Sequence, residues 1–207
     1  MLPPVSASPE TLTLSRRLSP EQAARRGAAV AAARRLAREG GYAAVTMQSV
    51  ADRSGVGRAT LYRYFASKDH LLAEVVLVWG AELGGELRGR GLAAASPAGR
   101  VAEVLLHVLD AARAEPRLTS AVLTAATSAD PEALRAGQEL GAVMQRYLDV
   151  ALGESAGPER GELAQLVGHV LFSSLVHMTS GRLAPEAASA AVAAAARRLF
   201  PDQGANR

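Results

Sequence analysis

The 207-residue chain contains no cysteine, which excludes disulfide bridges, thiolate zinc sites and a cysteine nucleophile. Its apolar stretches are broken by Arg, Glu or Gly well short of the roughly 18 residues a membrane span requires, so no membrane partner is expected. Residues 1–17 lack an apolar core of signal-peptide length, and the expected location is the cytoplasm. No Gly-x-Gly-x-x-Gly follows a strand pattern and no Gly-Lys-Ser/Thr occurs. No serine is placed at a strand-to-helix elbow. His107, His169 and His177 are too scattered to read as a metal site. The chain is therefore not read as an enzyme, and no catalytic residue, cofactor or metal is expected. Strand signals are missing as well, since no run alternates β-branched with polar residues. Lysine is nearly absent: Lys68 is the only one among 23 basic residues. Heavy Ala, Arg and Gly usage fits a GC-biased genome, so arginine abundance alone carries little weight.

What is present is unevenly placed. Residues 1–70 hold eleven Lys/Arg against five Asp/Glu, a charge of +6, and residues 71–207 hold twelve against fifteen, a charge of −3; together they make the net +3. A basic head on a mildly acidic body suits a head that meets a polyanion, because phosphate contacts dominate affinity for nucleic acid. Solvated arginine-rich helix faces would give the same split.

Punctuation along the chain is helical throughout. Residues 1–18 are rich in Pro, Ser and Thr and read as a disordered arm. Ser19-Pro20-Glu21-Gln22 supplies an N-cap, a proline at the first helical position and a Gln to close a capping box. The first helix runs to about Glu39 and stops at Gly40-Gly41. Thr46 caps a short second helix ending near Ser54-Gly55, and a third spans about Arg58 to Phe65. Ser67 caps a long fourth helix carrying Leu71, Leu72, Val75, Val76, Trp79, Leu83 and Leu87 at helical spacing. Five more open at Ser96-Pro97, Glu115-Pro116, Asp130-Pro131, Gly157-Pro158 and Ala184-Pro185, the last closing at Phe200. The expectation is an all-α protein of nine helices: an arm over 1–18, a small domain over 19–66 and a larger one over 67–207, with enough chain to bury a core unaided.

Ala51, Gly55 and Leu61 carry the functional reading. Two helices that cross closely need a small residue at the contact, which Ala51 supplies. Their turn needs positive φ, which Gly55 tolerates, and Leu61 anchors the second helix ten residues after Ala51. That is the spacing of a helix-turn-helix, with Val50 and Val56 as flanking core. In an alanine-rich chain the three residues alone also arise by chance.

The whole stretch Thr46-Met47-Gln48-Ser49-Val50-Ala51, Gly55-Val56-Gly57-Arg58-Ala59-Thr60-Leu61-Tyr62-Arg63-Tyr64-Phe65 and Ser67-Lys68-Asp69-His70-Leu71-Leu72 resembles the TetR family of bacterial regulators. The resemblance implies an N-terminal helix-turn-helix domain of three helices and a C-terminal helical domain that binds an effector and dimerises. It also implies roles. Thr46 would offer its hydroxyl and backbone N–H to a phosphate, and Gln48 would reach phosphate or base. Arg58, Ala59 and Thr60 would face base edges in the major groove, Arg58 being the candidate for bidentate guanine contact. Tyr62 and Tyr64 would place hydroxyls on the sugar-phosphate backbone, Arg63 would lie beside them, and Lys68 would neutralise a phosphate. Leu61 and Phe65 read as core. Arg16 and Arg17 are candidates for a minor-groove arm, and Arg25 and Arg26 for backbone contact.

In the rear, Leu163, Leu166, Val167, Val170, Leu171, Ser174 and Met178 form one face of the eighth helix. Ala188, Ala191, Val192, Ala195 and Leu199 form one face of the ninth. Either set could bury inside the chain or against a second copy about a twofold axis. Candidate effector contacts are Trp79, His107, Leu123, Met144, Tyr147, Phe172 and His177, with Val122 and Met178 beside them. Few charges interrupt these faces, which favours an apolar or amphipathic effector. Glu115-Pro116-Arg117-Leu118-Thr119-Ser120-Ala121 and the run before Leu148 resemble the actinobacterial, KstR-like branch that regulates steroid catabolism. That second resemblance implies a lipid-like or acyl-CoA effector. The expected function is a ligand-responsive repressor that binds a palindromic double-stranded DNA operator as a homodimer. An activator of the same fold, or a helical interaction protein, are the alternatives.

Overall fold

Five of the nine helices found among the described residues begin on a proline, where the missing N–H has no intrahelical acceptor to lose. The structure is a computed structural model that describes residues 18–153 and 159–201. Its elements are α1 (Pro20–Ala44), α2 (Met47–Ser54), α3 (Arg58–Tyr64), α4 (Lys68–Arg90), α5 (Pro97–Ala114), α6 (Pro116–Ala126), α7 (Pro131–Leu152), α8 (Arg160–Thr179) and α9 (Pro185–Leu199). The described residues include no strand. The arm expected over 1–18 (apart from Leu18), the Arg16–Arg17 pair and the Gly157-Pro158 helix opening lie outside the described residues.

The expected caps form. Gln22 N–H donates to Ser19 Oγ at 3.2 Å while the Gln22 side chain accepts from Ser19 N–H at 2.9 Å. His70 N–H donates to Ser67 Oγ at 3.0 Å, and Gly55 takes the left-handed conformation (φ 70°, ψ 9°) that closes α2. One boundary differs from expectation. Gly41 breaks α1 with φ 67° and ψ −159°, a region that essentially only glycine occupies. One further turn then follows to Ala44, with Val45 N–H donating to Tyr42 O at 3.3 Å. Gly41 thus re-aims the chain without ending the helical segment, which places Tyr42 beyond the break.

The chain divides into two compact units. Of the described residues, one holds 18–79 together with Glu115–Leu140; the other holds Gly80–Ala114 and those from Gly141 onward. In the first, α2 packs on α1 and α3, and α6 lies along α1. Its core includes Ala33, Ala37, Val50, Leu61, Phe65, Leu72 and Leu118, each essentially inaccessible. Burying a side chain such as Leu61 is worth about 1.5–3 kcal/mol, which fixes α3 against its neighbours despite its short length. Polar clamps add direction: Glu115 receives Arg38 and, at 3.8 Å, Arg34, and Arg117 Nη1 donates to Glu39 O at 2.6 Å. At the start of α4, burial raises the Glu74 carboxyl, but His70 and Arg26 beside it hold it below its ordinary range.

In the second unit α9 packs on α5 and α8, around Val101, Leu105, Leu148, Val167, Leu171 and Val192. Ala164, Ala188 and Ala196 are buried there, and small residues let helix axes approach closely. Of the face predicted on α8, Val167, Leu171 and Ser174 are buried, whereas Leu166 is 50% exposed. Val192 and Ala188 of α9 are likewise buried in the chain's own core.

Candidate nucleic-acid interface

The exposed side of α3 follows from its period. Leu61 and Tyr64, three apart, turn inward, and Arg58, Ala59, Tyr62 and Arg63 share the outer side, as residues four apart on a helix must. Tyr62 is 51% exposed. Thr60 is half-buried, and Gly57 caps the helix without a side-chain bond. Thr46 and Gln48 are exposed on the neighbouring α2.

Several predicted contacts have other partners. Thr46 is the N-cap of α2: its N–H donates to Ser49 Oγ at 2.9 Å, and its Oγ1 accepts from Ser49 N–H at 3.0 Å. Its backbone N–H is therefore already satisfied. Gln48 Nε2 donates to Asp52 Oδ1 at 2.7 Å, one turn along the same helix. Tyr64 differs from the surface role expected of it. It is only 9% exposed, its hydroxyl is enclosed without a hydrogen-bond partner, and its ring meets Phe65 edge-on. The reason is its spacing from Leu61, which puts it on the inner side of α3.

Ion pairing sorts the cations of the basic head. Arg53 grips Glu39 through both guanidinium nitrogens at 2.9 and 2.8 Å; that hydrogen bond holds the Glu39 carboxyl below its usual range and raises Arg53. Arg25 pairs with Glu21, Arg26 with Glu74, and Arg34 and Arg38 with Glu115. Among the described residues, Arg58, Arg63 and Lys68 make no such pair. Arg63 lies over the Tyr64 ring at 5.6 Å, and Lys68 Nζ lies 3.5 Å from the centroid of the Tyr42 ring. Tyr42 was not among the residues singled out from sequence. Its link to Lys68 spans 26 positions and has no local pattern. With Arg35, exposed on α1 and likewise without an ion pair, the described cations of the head that no carboxylate grips are therefore on α1, on α3 and at the start of α4.

The seven effector candidates are divided between the two units. Trp79 is buried and Leu123 half-buried in the first unit; the other five belong to the second. There, Tyr147 Oη accepts from Arg88 Nη1 at 2.8 Å and fills the space over Gly84, where a Cβ would stand 1.6 Å from that oxygen. Met144 packs beside the same core. His107 Nε2 stands 3.1 Å from Glu86 Oε2, near enough for an ion pair but outside hydrogen-bond geometry. Phe172, 41% exposed, and His177 occupy the outer side of α8, so neither lines an interior space. Among the described residues no helix is long and apolar enough to cross a membrane.

Comparison with known proteins agrees with this arrangement. Residues 29–75 match the family described as bacterial regulatory proteins, tetR family, and residues 94–199 match the tetracyclin repressor-like C-terminal domain. The HTH-type transcriptional repressor KstR of Rhodococcus jostii (strain RHA1) is 33% identical over 142 residues, 68% of this chain and 66% of that protein. The chain thus spans just under two thirds of that relative. The crystal structure of a TetR transcriptional regulator from Rhodococcus sp. RHA1 superposes with a TM-score of 0.80 at 27% identity, covering 88% of this chain and 99% of the other. The fold is shared with the transcriptional regulator FadR from Bacillus subtilis in complex with stearoyl-CoA: TM-score 0.65, 15% identity, 84% and 97% covered.

Proposed function

From a chain that belongs to the TetR family of bacterial regulatory proteins, we propose a repressor that binds a palindromic operator as a homodimer and leaves it when an acyl-CoA-like effector binds the rear helices. The observation that carries the DNA reading is the outer side of α3, where Arg58, Ala59, Tyr62 and Arg63 stand exposed beside exposed Thr46 and Gln48. Arg58 reads a guanine, Thr60 and Tyr62 contact base edge and backbone, and Lys68 neutralises a phosphate. Tyr64 supports α3 from within.

Dimerisation follows from the weakness of one short reader. Two α3 helices one helical turn apart, about 34 Å, bind a twofold-symmetric site far more tightly than one. Leu166 and Phe172, apolar yet open on α8, support α8 with α9 as the face that meets the second copy. The arm, a reader domain over 19–66 and an effector and dimerisation domain over 67–207 are the working division, acting in the cytoplasm. A CoA thioester with a large apolar acyl group is supported by the KstR-like resemblance and by the fold shared with a stearoyl-CoA complex. Release requires that the effector bind the DNA-free arrangement more tightly than the DNA-bound one.

The test is selection of duplexes from a randomised pool, followed by titration of the selected complex with stearoyl-CoA and with free CoA. Enrichment of a palindrome, and release by the thioester but not by free CoA, are expected. Failure to enrich any duplex at low salt would sink the regulator reading. Release by neither compound would sink the effector assignment alone.

A further inference from the structure

Lys68 begins α4, where the positive end of the helix dipole makes a cation unwelcome. Its neighbour Asp69 makes no ion pair with it, because the Asp69 carboxylate is engaged elsewhere: Tyr42 Oη donates to Asp69 Oδ1 at 2.7 Å. The Lys68 ammonium instead rests on the Tyr42 ring face, 3.5 Å from its centroid, within the range of a cation–π contact. One tyrosine thus touches both charges through different parts of its side chain. The break at Gly41 sets Tyr42 on the turn from which it does so.

Resting on the reading of Lys68 as a phosphate contact, we infer that Tyr42 is a positioning residue for DNA binding: its hydroxyl occupies the Asp69 carboxylate, and its ring holds the Lys68 ammonium free of an ion pair. A neutral ring face orients the cation without pairing with it, and a phosphate arriving at α4 meets an ammonium that no carboxylate grips. A carboxylate on Lys68 would have to be displaced first, so fewer counterions would be released from the DNA. The hydrogen bond to Asp69, with some burial, pushes the Tyr42 hydroxyl up to about 12, so it stays a donor throughout the physiological range.

The test measures operator affinity against salt for the full chain on a palindromic duplex that the wild type selects from a random pool. Lys68→Ala lowers the slope of log affinity against log salt by about 0.9 per half-site. Tyr42→Leu, which removes ring and hydroxyl, lowers it toward the same value. Tyr42→Phe keeps the ring but frees Asp69 to reach Lys68, and gives an intermediate slope. Adding Asp69→Asn to Tyr42→Phe restores the wild-type slope, an outcome that a merely structural tyrosine does not produce. In the Lys68→Ala background neither Tyr42 variant changes the slope further. If Lys68→Ala leaves the slope unchanged, the phosphate reading fails and this inference with it. If Lys68→Ala lowers the slope while both Tyr42 variants keep it, the inference alone is overturned. Loss of folding in Tyr42→Leu leaves the Tyr42→Phe and Asp69→Asn pair to decide.

Discussion

Gly84 and Gly85 are adjacent in α4, yet alanine at the two positions should have opposite effects. Helix propensity favours Ala over Gly by about 0.8–1.0 kcal/mol at either. At Gly85 a new Cβ meets only Arg88 Nη2, at 3.9 Å, and the propensity gain is realised. At Gly84 the Cβ would stand 1.6 Å from Tyr147 Oη and 1.9 Å from its Cζ, so the tyrosine must leave. Overpacking of this kind costs about 1–3 kcal/mol. Tyr147 also surrenders its hydrogen bond from Arg88, 2.8 Å long. Bonds to charged groups are worth about 1.5–3 kcal/mol, and the lower end applies because Arg88 is exposed. Set against the propensity gain, Gly84→Ala should destabilise by about 1.5–3.5 kcal/mol, while Gly85→Ala stabilises by up to about 1 kcal/mol. Urea denaturation followed by circular dichroism measures both. Tyr147→Ala introduced into Gly84→Ala should add less than it costs in the wild type, because the clash is then already relieved. Equal stabilisation by the two glycine substitutions would refute the close fit of Tyr147 on α4.

Three further expectations concern the first unit. Asp130 Oδ1 accepts from the N–H groups of Glu132 at 2.8 Å and Ala133 at 3.0 Å, so Asp130→Ala should cost about 0.5–2 kcal/mol as a lost cap. The Ala133 N–H, then the Ser67 side chain, hold that carboxyl below its ordinary range. Its contribution is therefore present above about pH 4 and is lost as pH falls through the lowered folded value; thermal melts of the two chains should converge in acid. Tyr42, raised by its bond to Asp69 from 10.0 to about 12, stabilises the fold below pH 10 and loses that contribution as pH rises toward 12. Phenolate absorbance should show a step near 12 that Tyr42→Phe abolishes. Arg58→Ala should relax base preference at one position per half-site by about 1–3 kcal/mol, read by repeating the duplex selection; an unchanged preference would move the guanine contact elsewhere.

Local grammar made most helix boundaries readable, because prolines, capping hydroxyls and glycines act on the residues beside them. Gly41 shows the limit. Its stop was legible, but the extra turn to Ala44 depends on a conformation that spacing does not express. The burial of Tyr64 follows from its distance to Leu61 once α3 is placed, but a tyrosine between Arg63 and Phe65 carries no local mark of which side it takes. Pairings such as Arg38 with Glu115 or Lys68 with Tyr42 join residues 77 and 26 positions apart and leave no periodic trace. On α8 apolar residues point both inward, as Val167 and Leu171 do, and outward, as Leu166 and Phe172 do. A helix apolar on both sides does not announce which face meets its own core, and Phe172 was expected inside for that reason.

The chain's lack of cysteine permits one direct measurement of the central claim. Ala59→Cys places a single thiol on the exposed start of α3, beside Arg58, and an iron chelate attached there cleaves nearby DNA. Two symmetric clusters of cleavage about one helical turn apart on the selected palindrome are the expected result. Cleavage at one position, at random positions or not at all would contradict a dimer that reads DNA with α3.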